Sequence, residues 1–162
     1  MIKSILLATS AFAFTINVAE AELLTEKNIP SSLAVEIASN AVQACASDKY
    51  NVTAAVVDRA GVLRALVRAD NAGPHSVEAA RAKAYTSASS RTPTSKMAET
   101  VANNPAAAQI VNIAGFLVLA GGVPIKAGDV TVGAIGVGGA PGGNFDEACA
   151  NAAIKKAADQ LK

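Results

Sequence analysis

The stretch "NVTAAVVDRAGVLRALVRAD", Asn51 to Asp70, decides the fold class. Val52–Val57 is a β-branched run that ends at Asp58. Asp58-Arg59-Ala60-Gly61 has the turn chemistry of a hairpin loop. Val62–Arg68 then alternates, with Leu63, Ala65 and Val67 on one face and Arg64, Leu66 and Arg68 on the other. Strand, tight turn and strand make an antiparallel pair.

Helical patterns lie on either side of this hairpin. Residues 30–48 recur apolar at every fourth position, through Leu33, Ile37, Ala41 and Cys45, with Pro30 suited to a first turn. Gly73-Pro74 breaks the hairpin's pattern, and a helix is predicted from Ser76 to about Ser89. Its narrow small-residue face is Val77, Ala80, Ala84 and Ser87. Pro93 stops it. Lys96–Asn103 can form a further short helix, and Pro105–Ile113 reads as helical or irregular. Phe116–Leu119, Val123–Lys126 and Val130–Val137 read as three more strands, with Pro124 marking an edge or a bulge. Asn144–Leu161 closes the chain as a helix. Asn144 and Glu147 give it a capping-box-like start. Its predicted buried stripe is Phe145, Cys149, Ala153, Ala157 and Leu161. About five strands, in groups of two and three with helices before, between and after, indicate an α+β fold on an antiparallel sheet. The two terminal helices are expected on one face.

The chain ahead of this pattern has another character. "MIKSILLATSAFAFTINVAEA", Met1 to Ala21, sets Lys3 before an apolar run and ends in a small-x-small triplet. It reads as a secretory signal cut after Ala21 rather than a stable membrane anchor. That leaves residues 22–162 as one domain, destined for a periplasmic or secreted location and long enough to bury a core. A net charge of +1 without any basic run argues against nucleic acid as a partner. The only two cysteines, Cys45 and Cys149, fall in the first and last helices. They could pair in an oxidising compartment or sit as separate small buried residues.

Few residues offer chemistry. The glycines of Gly133–Gly143 follow a strand and precede a helix, as a phosphate loop would. Yet Pro141 stands where the last glycine of GxGxxG belongs, and Asp146 and Glu147 would repel a phosphate. Those glycines are better explained by close packing of strand, turn and helix. No nucleophile–histidine–acid set is legible. His75 is the only histidine, within "DNAGPHSVEAARAKAYTSASSRTPTS", Asp70 to Ser95. One imidazole cannot build a zinc site, but haem iron needs only one protein ligand because the porphyrin supplies four nitrogens. Arg64, Arg68, Arg81, Lys83 and Arg91 could then partner the propionates. Arg64, Arg68 or Arg91 could instead clamp a small organic acid. Thr92 and Thr94, flanking Pro93, could donate hydrogen bonds at a pocket rim. His75 could equally be an exposed residue in a Gly-Pro turn.

The combination of "VVDRAG", "ARAKAYT", "RTPTS" and "IAGFLVLAGGVPIKAGDVTVGAIGVGGAPGGNFDEACANAAI" resembles the GlcG/HbpS family of haem-binding or haem-degrading domains. The resemblance covers essentially all of residues 22–162. It implies a profilin-like domain, with a five-stranded antiparallel sheet sandwiched by helices, that self-assembles from dimers up to octamers. It also implies haem as cofactor, with a histidine as iron ligand in some members and a threonine or another residue in others. The positions carried over are His75 and Thr94, with Tyr85 as a further candidate ligand and Arg81, Lys83 and Arg91 beside them. The surface ExxE iron motif of one member is broken here, because Arg81 stands three residues after Glu78. The expectation is an exported, oligomeric haem-binding protein for haem capture or redox sensing, with a signalling protein as a possible partner. The alternatives are an accessory module for a small organic acid or cofactor, and a haem-degrading enzyme.

Overall fold

The computed structural model describes residues 21–162. The predicted signal, except Ala21, lies outside the described residues. Helix α1 (Ser31–Ser47) leads into strands β1 (Thr53–Asp58) and β2 (Leu63–Arg68), then helices α2 (Ser76–Ser90) and α3 (Thr94–Asn103). A 3₁₀ segment, Pro105–Asn112, precedes strands β3 (Gly122–Ala127) and β4 (Val130–Gly138) and helix α4 (Gly143–Lys156).

The sheet is antiparallel and four-stranded, in the order β2-β1-β4-β3. The hairpin of residues 53–68 forms as its turn chemistry predicts. Asp58 Oδ1 accepts from the backbone N–H groups of Ala60 and Val62, both at 3.0 Å, and so fixes the loop. Pro124 lies on an edge strand, where a missing donor costs no ladder bond.

The expected fifth strand, Phe116–Leu119, is absent: those residues are irregular. Side-chain hydroxyls take the place of a ladder there. Leu117 N–H donates to Thr86 Oγ1 at 2.8 Å, and the carbonyl of Leu119 accepts from Thr94 Oγ1 at 2.7 Å.

Helices α1 and α4 cover one face, packing on Ala54, Val56, Ala65, Ile135 and Val137 to form the main core. Cys45 and Cys149 are bonded across these two helices, with Cα atoms 5.4 Å apart. Helix α2 covers the opposite face. Apart from Lys83, its buried positions are small, among them Ser76, Ala80, Ala84 and Ser87, so it lies very close to β4. A Cβ on Gly136 would come within 2.1 Å of the Ala80 carbonyl oxygen. Close packing is thus what that part of the glycine stretch provides.

Two details of α4 depart from expectation. Among the described residues no side chain caps its N-terminus at Gly142. Glu147 instead accepts from Ser95 Oγ at 2.8 Å and from Gly121 N–H at 3.3 Å. Phe145 is exposed rather than buried, and it packs against the ring of Tyr50 at 5.4 Å.

Candidate functional site

A register shift in the hairpin shapes the site. Val56 pairs with Ala65 but Val57 pairs with Leu63, which leaves Arg64 as the extra residue of a β-bulge. The strict alternation predicted for β2 therefore fails at Leu63. Ala65 and Val67 point to α1, whereas Leu63 joins Val57 on the α2 side. Arg64 swings outward, donates to Ser31 Oγ at 2.8 Å and lies 3.9 Å from Asp58.

Leu63 and Val57 form one wall of a cleft of about 410 Å³. Helix α2 supplies Glu78, Arg81, Ala82 and Tyr85, and the loop Ala114–Gly115 closes the far side. Tyr85 is the centrepiece. One edge of its ring faces Gly61, where a Cβ would lie 2.7 Å from Cδ2. The other edge faces Gly115, where a Cβ would lie 3.3 Å from Cε1. Phe116 meets the ring edge-on at 6.0 Å. The ring is thus held in a slot that only glycines leave open. Tyr85 keeps 38% of its surface exposed, and its phenol makes no hydrogen bond among the described residues. Arg81, one turn earlier, is paired with Glu78 at 3.1 Å on an exposed surface, an ion pair worth little and easily exchanged for another anion.

The other predicted residues lie elsewhere. His75 precedes the first turn of α2 and is exposed. It does not line the cleft, and its imidazole lies over Gly73, where a Cβ would come 2.6 Å from Cε1. Lys83 is not a surface cation. It is 1% exposed and donates to Asp146 Oδ2 at 2.8 Å and to the Val137 carbonyl at 2.9 Å. That placement removes it from any surface ligand. Asp146 also accepts from Ala140 N–H at 3.0 Å. Burial pushes its carboxyl above the ordinary carboxylate range, and the hydrogen bond and charge of Lys83 pull the other way.

Thr94 is fully buried, and its hydroxyl accepts from Gly122 N–H at 2.9 Å while donating to Leu119. Both of these bonds hold it within the fold rather than at a surface rim. Thr92 Oγ1 donates to the carbonyl of Ser90 at 3.1 Å. Arg91 ends α2 in the left-handed region (φ 55°) and lines a separate depression with Arg59 and Asp129. Arg68 donates to the carbonyl of Ala72. Of the predicted site residues, Arg81 and Tyr85 come together. Val57, Gly61, Leu63, Ala114 and Gly115 were not foreseen, and the bulge that turns Leu63 leaves no mark in the alternation. Among the described residues no group of three or more His, Cys, Asp or Glu side chains could hold a metal ion.

Comparison with known proteins places this geometry in a family. Residues 29–155 match a family model described as "Haem degrading protein HbpS-like". The chain belongs to the HbpS-like family. A double glutamate-to-aspartate mutant of HbpS from Streptomyces reticuli is 37% identical, with a TM-score of 0.79 over 90% of this chain and 98% of that one. Protein ORFY of Klebsiella pneumoniae, assigned to DUF336, superposes with a TM-score of 0.79 at 21% identity, over 85% of this chain and 96% of its own. A PduOC:heme complex superposes at 0.70 with 21% identity, over 79% and 94%. At that identity the last two show a shared fold. No curated protein matches the chain. The HbpS-like chain thus has the α+β architecture and antiparallel sheet of its relatives, with the Tyr85 cleft on the α2 side.

Proposed function

We propose that this chain is an exported, self-associating haem-binding protein, acting in haem capture or redox sensing, and that haem seats in the Tyr85 cleft. The observation that carries the reading is the cleft's lining. Val57, Leu63, Ala82 and Ala114 give apolar walls, and Tyr85 presents an aromatic body with a phenol that is unengaged among the described residues. Arg81 stands at the side with only an exposed carboxylate to release. A flat apolar macrocycle with acidic edges needs such walls and such a cation. The volume falls within the usual range for ligand sites. The bound group would supply an iron centre that reports or carries redox change; the chain supplies apolar shelter, a ligand atom and a counter-charge.

Membership of a haem-named family and the haem complex of PduOC support the ligand class. The Met1–Ala21 pattern and the Cys45–Cys149 bond support export, since structural disulfides persist in oxidising compartments. Exposed Val111, Ile113 and Leu119 support association with further copies.

The test is a haemin titration of residues 22–162 followed by absorbance. Saturable one-to-one binding, weakened in Arg81→Ala, is expected. Absence of any saturable absorbance change would sink the reading. The family model's description favours a second reading, haem degradation. It separates cleanly: a binder's absorbance bands persist on adding peroxide or reductant, and an enzyme's bleach as product forms.

A further inference from the structure

We infer that Tyr85, through its phenol oxygen, is the protein ligand to haem iron, in place of His75 or Thr94. The inference deepens the haem reading and rests on it. It is carried by the different fates of the three side chains. The Thr94 hydroxyl already accepts one backbone bond and donates another, in a fully buried position. His75 stands outside the cleft lining, with its imidazole laid on Gly73. Tyr85 lines the cleft itself, and among the described residues its phenol has no hydrogen-bond partner.

The structure also fixes how Tyr85 is presented. Gly61 and Gly115 flank the two edges of the ring, and a Cβ on either would meet ring carbons, never the hydroxyl. The body of the ring is clamped and its oxygen end is left out of the clamp. A ligand held on a fixed ring loses little side-chain entropy on binding. Arg81 lies one helical turn away and lines the same cleft with Glu78, its exposed partner at 3.1 Å; released from that pair, its guanidinium is available to the propionates. Phenolate is a hard oxygen donor that suits ferric iron, and tyrosine is an established type of haem ligand. Ferric haem is the form expected outside the reducing cytosol. The bond forms between the phenol oxygen and ferric iron, the phenol proton leaves to water, and the ligand displaced from iron is solvent. No electron moves.

The test compares ferric haem complexes of residues 22–162 with those of Tyr85→Phe, Tyr85→His and His75→Ala. Readouts are absorbance and resonance Raman spectra, and circular dichroism checks folding of each variant. The wild type should show a phenolate-to-iron charge-transfer band and phenolate vibrations. Tyr85→Phe should lose both, Tyr85→His should bind with an imidazole-type spectrum, and His75→Ala should be unchanged. Phenolate signals persisting in Tyr85→Phe, or a spectrum altered by His75→Ala, would overturn the assignment while leaving haem binding intact. A wild-type protein that takes up no haem would overturn the binding reading and this assignment together.

Discussion

Lys83 keeps its ammonium in a place where water does not reach it, and its neighbours explain how. Asp146, the Val137 carbonyl and the nearby Ala140 amide complete a closed polar cluster between α2, β4 and the start of α4. Removing one member strands the other's charge. Lys83→Met should therefore destabilise by about 3–5 kcal/mol, while Lys83→Met with Asp146→Leu should recover most of that loss; urea unfolding of the three proteins measures it. The pH dependence has a definite sign. Burial raises Asp146's carboxyl above its ordinary 3.8, so over that window the folded chain holds a proton that the unfolded chain has released. The stability tied to this group is full below the unfolded value and is lost as pH rises through the folded one. The advantage of wild type over the double variant should fall with rising pH across that window. The role of Lys83 was not legible because Arg81 and Lys83 lie roughly 200° apart around the helix. Only the side on which the sheet packs decides which cation meets solvent. Gly61 belongs to this scale as well. Its φ of +81° opposes a side chain, and so does the Tyr85 ring, which would lie 2.7 Å from a Cβ placed there. Gly61→Ala should cost about 1 kcal/mol or more in strain and weaken haem binding by displacing Tyr85, as a parallel melt and haemin titration would show.

Among the elements, residues 116–119 show where pattern reading stops. "FLVL" between glycines has the composition of a buried strand, and periodicity in so short a run cannot say whether a neighbouring strand exists. Two threonines on the helical segments supply hydrogen-bond partners instead, and nothing in the run itself reveals them. Thr86 receives Leu117 N–H, and Thr94 bridges Leu119 and Gly122. The hairpin, by contrast, was legible because Asp58 and Gly61 carry their own turn chemistry, and α1 because its apolar residues recur at helical spacing. Thr94→Val keeps the shape of the side chain but leaves the Gly122 amide and the Leu119 carbonyl without their partner. An unsatisfied buried group costs about 1–3 kcal/mol. The variant should lose stability of that order. Hydrogen exchange should quicken at the Gly122 amide first, before the core strands, since the bond lost is local to that segment.

At the level of the whole molecule, the sheet separates two tasks. On one side α1 and α4 meet over the main core and are joined by Cys45–Cys149, a bond between residues 104 positions apart in the chain. On the other, α2 lies close on β4 and offers the Tyr85 cleft at its outer flank. A crosslink stabilises chiefly by restricting the unfolded chain, and its loss typically costs about 2–5 kcal/mol. None of the cleft-lining residues belongs to α1 or α4. Stability and ligand affinity should therefore come apart. Cys45→Ala with Cys149→Ala should unfold at lower urea by that amount, yet titrate with haemin at a dissociation constant close to wild type under conditions where both remain folded. Haem should also raise the unfolding midpoint of both proteins by similar increments, because a ligand that binds only the folded state stabilises according to its affinity and concentration. A variant that lost haem affinity along with its staple would mean that the sheet transmits strain from one face to the other, and that the cleft depends on how tightly α1 and α4 are drawn together.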